Sequence, residues 1–224
     1  FQEITFAQRN VIDVIITDHH EVPDVLPPAY AILNPKQKGC NFPFKSLAGV
    51  GIAFNLIIAL RTKLRDMGFW NNQKVPNLKE YLDLVALGTI ADIVPLTDEN
   101  RIFVKFGLEQ LTNSPRPGIV ALKKVSGLKD TIITPGMVGF RLAPRINAAG
   151  RLGRGDDGVR LLITEDLKEA EDIANVLDSE NTERQQIENR IIEEAKGLVE
   201  NSQRLLAGKT IILASPDWHP GVIG

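Results

Sequence analysis

The run Val11–Thr17 constrains the fold most: it is rich in β-branched residues and leads directly into Asp18-His19-His20. A short, nearly continuous apolar run reads as a strand buried on both faces, which favours a parallel sheet under helices. Three polar groups at its end lie where open α/β sheets gather their ligands, beyond the carboxyl ends of the strands. Imidazole with carboxylate suits manganese, zinc or iron, and further carboxylates favour manganese or magnesium. The alternative for Asp18, His19 and His20 is a surface turn with a capping Asp and two solvated rings.

The rest of the chain continues in that pattern. Ala29–Leu33 reads as a second strand, closed by Asn34-Pro35. A helix is expected from Ser46 or Gly49 to about Arg65, stopped by Gly68. Another is expected over Leu78–Ile90, with Leu82, Val85 and Ala86 at core spacing. Asp98 is expected to cap a helix over about Glu99–Leu111. Shorter helices are expected near Gly118–Lys124 and Pro135–Leu142. Gly150, Gly153, Gly155 and Gly158 suggest a loose, polar, Arg-bearing segment. A long acidic helix is expected over roughly Leu167–Ser202, and helices this long often bridge domains. Lys209–Ala214 reads as a fresh strand opening a second α/β domain. The expected class is therefore α/β: a parallel sheet flanked by helices, then a long connecting helix and the start of a second α/β domain. The divisions expected are 1–165, 166–203 and 204–224. The chain begins at Phe1 and stops at Gly224 within a Gly/Pro turn, so it is read as an interior piece of a longer protein.

Charge enters where partners are concerned. The formal net charge of −2 announces no global basic field. Yet Glu165–Glu200 holds twelve acids and four bases, a net of −8, which leaves +6 elsewhere. Gly139–Gly155 carries Arg141, Arg145, Arg151 and Arg154 and no acid, a cluster able to face phosphates or simply to be solvated. The single cysteine, Cys40, excludes an intrachain disulfide and fits a reducing cytosol. No CxxC or CxxH pattern supports a structural zinc site. The apolar run Val50–Leu60 is too short to span a bilayer, so no membrane partner is expected.

Four further segments carry candidate chemistry. Asp92 stands among Ala91, Ile93 and Val94, and a carboxylate so placed needs a metal, a helix end or an arginine as partner. Around Arg145, Asn147 and Arg151, small residues allow close approach and the two arginines suit phosphate oxygens; an ordinary glycine-rich loop is the alternative. Gly49 and Gly51 open a helix, where free N–H groups attract anions, although tight packing explains them as well. His219, in the Trp218–Gly224 segment, either touches a phosphate or pins a turn.

Six stretches, in this order, resemble the RecJ-type exonucleases of the DHH phosphoesterase family: VIITDHH, CNFPFKSLAGVGIAF, LVALGTIADIVPL, RPGI, PRINAAGRL and DWHPGVIG. They span nearly the whole chain. The resemblance implies a two-domain fold joined by a long helix, with two divalent metals, usually manganese, with magnesium as the second choice. It implies hydrolysis of single-stranded DNA from the 5′ end by a metal-activated water, in repair and recombination in the cytoplasm. Single-strand-binding protein and other repair proteins are the further partners it suggests. His19 and Asp92 match family metal ligands. His20 matches the imidazole facing the scissile phosphate, and Asp18 matches a ligand or, by preference, a group orienting His19. Arg145, Asn147 and Arg151 match contacts to the DNA backbone; Gly49, Gly51 and His219 complete the substrate-binding set. Nothing here matches the family's earlier metal-binding aspartates or its C-terminal glycine-rich motif. The metal site is therefore expected to be incomplete in this chain, which by itself should be inactive or nearly so. Two other functions remain open: a phosphatase or oligonucleotidase of the same family acting on small substrates, and a non-catalytic replisome scaffold on the same fold.

Overall fold

In a computed structural model that describes residues 1–71, 73–151, 155–202 and 208–223, with the Ala149 and Arg151 side chains left out, the chain is helix-rich α/β with one small parallel sheet. Its packing divides into two units, Phe1–Ser114 with Asp130–Gly139, and Pro115–Lys129 with Phe140–Gly224.

The first unit opens with α1 (Gln2–Arg9), which the sequence reading did not anticipate. Strands β1 (Ile15–Thr17) and β2 (Ala31–Leu33) pair in parallel, with Ile15 opposite Ala31 and Thr17 opposite Leu33. The expected buried strand over Val11–Thr17 is thus shorter, and Val11, Ile12 and Ile15 are exposed. Two strands cannot cover both faces of a parallel pair, and burial of such runs comes from layers on both sides.

Helix α2 (Gly49–Asp66) follows, then a 3₁₀ turn (Leu78–Tyr81), α3 (Leu82–Ala91) and α4 (Asp98–Thr112). Leu47, Ile52, Phe54, Leu78, Leu82, Val85 and Phe103 form one core, with Phe54 and Phe103 edge to face at 5.4 Å. Helices α3 and α4 approach closely at Gly107, where an added Cβ would lie 2.3 Å from the Leu82 carbonyl oxygen. Asp98 does not cap α4. Thr97 occupies that position, and Asp98 is the first helical residue with φ of 44°.

The second unit contains α5 (Pro117–Val125). Short helix α6 (Pro135–Met137), in the first unit, leads into a π turn over Val138–Leu142 and then to α7 (Ala143–Arg151), α8 (Gly155–Ile163) and α9 (Leu167–Glu200). In the expected loose segment at Gly150–Gly158, the described residues 150–151 and 155–158 are helical, and residues 152–154, with Gly153, lie outside the described residues. Glycine disfavours a helix by about 1 kcal/mol, but packing outweighs that here. Gly158 faces Ile146 and lets α8 lie close to α7, while Ala148 and Leu161 are fully buried. Ala170, Ile173, Ala174, Leu177 and Asn181 form the buried stripe of α9, at the spacing of one helix face. No strand forms over Lys209–Ala214, because no described strand runs beside it to complete a ladder. A last turn, α10 (Pro220–Ile223), ends the described chain.

Candidate metal and phosphate site

Asp18 continues the ladder beyond β1, donating its N–H to the Leu33 carbonyl at 3.0 Å. Its Oδ1 then accepts the backbone N–H groups of His19 (2.8 Å) and His20 (3.3 Å), and lies 2.7 Å from His20 Nδ1. The carboxylate therefore organises the turn and orients the His20 ring, whereas its contact with His19 is to the backbone. Partial burial pushes the Asp18 carboxyl up. Hydrogen bonds from the His20 ring and from the two N–H groups outweigh that, and the net pKa lies below the ordinary 3.8. Asn34, which sequence reasoning passed over as a strand terminator, is buried and donates to the His20 carbonyl at 3.0 Å. Its only sequence signal was the Asn-Pro step after an apolar run.

The His19 ring lies beside the His20 ring, with centroids 4.5 Å apart, and reaches Asp92. Its Nε2 lies 3.2 Å from Asp92 Oδ2, with the two side chains 18% and 37% exposed. Gly49 lies against the ring, since a Cβ there would be 3.5 Å from His19 Cδ2. Asp92 is the C-cap of α3. That is the negative end of the helix dipole, where a carboxylate is unfavourable unless a cation or proton donor faces it. Ile93 follows with φ of 56°, a left-handed conformation costly for a β-branched residue. Such strain persists where surrounding structure over-determines it.

Asn100 supplies part of that surrounding structure and was missed by sequence reasoning, where it falls unremarked inside the expected helix over about Glu99–Leu111. It is fully buried, and its Nδ2 donates to the Ser46 carbonyl (2.7 Å) and the Pro95 carbonyl (2.9 Å). One amide thus joins the segment leading to Gly49 with the turn that follows Asp92.

The donor set fits part of a divalent-metal site. Neighbouring ligands about 2.1 Å from an ion are about 3.0 Å apart at right angles, close to the His19–Asp92 separation. Among the described residues no cluster of three or more His, Cys, Asp or Glu side chains forms around an ion position. An apolar cleft of about 320 Å³ along β2 and α2, with Ile32, Leu33, Phe42, Leu47, Ile52 and Leu56 among its lining residues, does not include Asp18, His19, His20 or Asp92.

Gly51 is buried against Leu47 and Phe103, in apolar surroundings. In the second unit, Arg145 lies on α7 with its Nε 2.7 Å from Asp178 Oδ1 of α9. Asn147 is exposed on the same helix. Arg151 ends α7, and its side chain lies outside the described residues. His219 is exposed; its Nδ1 accepts the Gly221 N–H at 3.2 Å, which leaves Nε2 to carry the proton of the neutral ring.

Residues 1–89 match the DHH family, N-terminal domain. The single-stranded-DNA-specific exonuclease RecJ of Escherichia coli K12 is 48% identical over 99% of the chain, and that of Bacillus subtilis 168 is 46% identical over 99%. The chain spans 39% and 26% of the lengths of these two relatives. A crystal structure of RecJ from Thermus thermophilus in complex with Mn2+ superposes with a TM-score of 0.80 at 34% identity, covering all of this chain and 31% of that one. A second, of exonuclease RecJ bound to manganese, gives 0.78 at 35% identity, covering 99% of this chain and 52% of the other.

Proposed function

The chain belongs to the DHH family, and from that premise we propose that the protein it forms part of is a divalent-metal-dependent exonuclease degrading single-stranded DNA from the 5′ end, in DNA repair and recombination. The observation that carries this reading is the 3.2 Å approach of His19 Nε2 to Asp92 Oδ2 across a long separation in sequence.

His19 and Asp92 are the residues that would hold an ion, manganese before magnesium, the metals bound in the solved RecJ structures. When bound, paired divalent ions stabilise the attacking and the leaving oxygens of a phosphodiester. The remaining work falls to the chain itself. The ionised Asp18 only accepts hydrogen bonds, so His20 carries a proton on Nδ1 and presents Nε2 outward. That nitrogen takes a proton when the ring is neutral and donates to a phosphate oxygen when it is charged. Arg145, Asn147 and Arg151 contact the DNA backbone, with His219 as a further donor. Gly49 lets the start of α2 lie against His19, and Gly51 serves the packing of that helix.

Division of the protein at 165/166 and 203/204 into a catalytic part, a connecting helix and a second domain belongs to the same proposal. Residues 203–207 lie outside the described structure. No helix among the described residues is long and apolar enough to cross a membrane. A cytoplasmic location and an association with single-strand-binding protein are part of the proposal as well.

The test is hydrolysis by the full-length protein with Mn2+, offered 5′-phosphorylated single strands, duplex DNA, dinucleotides and pyrophosphate. Processive loss of long single strands is expected, sensitive to salt because backbone contacts supply the affinity. Preference for dinucleotides or pyrophosphate would make it a small-substrate phosphatase instead. Failure of the full-length protein to bind Mn2+ at all would leave the scaffold reading standing.

A further inference from the structure

Arg145 has an orienting partner on another helix. Its guanidinium has five N–H groups. The Nε–H faces Asp178 Oδ1 at 2.7 Å, and Nη1 donates to the Arg141 carbonyl. Among the described residues, the other three N–H groups, including both on Nη2, have no recorded partner. Arg141 is anchored in turn: its carbonyl accepts the Ser126 hydroxyl, and its guanidinium donates to the Ser126 carbonyl. The supports thus run from α9 through Arg145 to the turn after α5.

An exposed ion pair leaves a long side chain loosely held and contributes little. Here the Arg145 side chain is only 16% exposed, and its planar group is fixed at two points, one on α9 and one on the π turn. A guanidinium held along its Nε edge presents the opposite edge, which suits phosphate oxygens.

We infer that Asp178 is a positioning residue for nucleic-acid binding: it holds Arg145 so that its remaining Nη N–H groups meet a backbone phosphate of single-stranded DNA. The inference rests on the proposal that Arg145 contacts that backbone. Charge alone predicts the reverse, because removing an acid near a phosphate should tighten binding.

The two are separated by measuring anisotropy of a 5′-phosphorylated oligothymidylate with the full-length protein in EDTA, over a salt series. Arg145→Ala should weaken binding about tenfold and flatten the dependence of log K on log salt by about 0.7. Asp178→Ala should weaken it about fivefold, with Asp178→Asn, which keeps the accepting oxygen, recovering most of the loss. The double variant should bind no more weakly than Arg145→Ala. Melting curves verify folding, and Asp178→Ser replaces Asp178→Ala if that chain does not melt cooperatively. If Arg145→Ala weakens binding while Asp178→Ala leaves it unchanged or tighter, the positioning role is overturned and the Arg145 contact stands. If Arg145→Ala changes neither affinity nor salt slope, the phosphate contact is wrong and the inference falls with it.

Discussion

His19 Nε2 and Asp92 Oδ2 stand 3.2 Å apart, joining the turn after β1 to the C-terminal end of α3. Two donors hold a divalent ion weakly, since such ions take at least four ligands. The chain alone is therefore expected to bind Mn2+ no better than millimolar and to cleave single strands little or not at all. An electron paramagnetic resonance titration checks this, and saturable micromolar binding would contradict it. In the full-length protein, His19→Ala or Asp92→Ala should lower Mn2+-dependent hydrolysis at least about a hundredfold.

The turn of Asp18 should loosen in acid. Its carboxyl is held below the ordinary 3.8, so its stabilising effect is complete above the unfolded pKa and is lost as pH falls through the lower folded value. Carbon-detected titration of Asp18 should show a midpoint below 3.8. Asp18→Asn should abolish the associated shift of the His19 and His20 amide signals. A midpoint at or above the ordinary value would show that the three contacts do not hold in solution.

Asn100→Ala removes the amide donor shared by the half-buried Ser46 carbonyl and the Pro95 carbonyl, which should cost about 1–3 kcal/mol. Asn100→Asp should be worse at neutral pH, because a carboxylate would face the Ser46 and Pro95 oxygens directly. Chemical denaturation ranks the two. Equal stability of all three chains would mean that the clamp does not form.

Gly107→Ala forces a methyl against the Leu82 carbonyl and the Ala86 Cβ. Overpacking of this kind costs about 1–3 kcal/mol or more. Gly118→Ala should behave alike, since its Cβ would lie 1.8 Å from the Leu161 carbonyl oxygen. Gly136→Ala, with nothing within 4 Å, is the control and should melt with the reference chain.

Much of the secondary structure was legible in local pattern. The apolar spacing of Leu82, Val85 and Ala86 placed α3, and the breaker-poor acidic stretch placed α9. The glycines of Gly150–Gly158 misled because glycine signals a loop locally, whereas Gly158 serves the contact between α8 and Ile146. Lys209–Ala214 misled in the opposite sense. Its β-branched residues favour a strand, but a strand exists only beside another.

Residue type and order were enough to nominate Asp18, His19, His20 and Asp92, because an acid and two imidazoles after an apolar strand, and a carboxylate in apolar surroundings, are anomalies that local chemistry must resolve. Their pairing was a different matter. That His19 turns to Asp92 while Asp18 takes His20, and that Asn34 and Asn100 secure the two turns, depends on distances between segments remote in the chain. Hydrogen bonds of that kind leave no periodicity in a sequence. They arise only when packing brings the segments together and buried polar atoms must find partners.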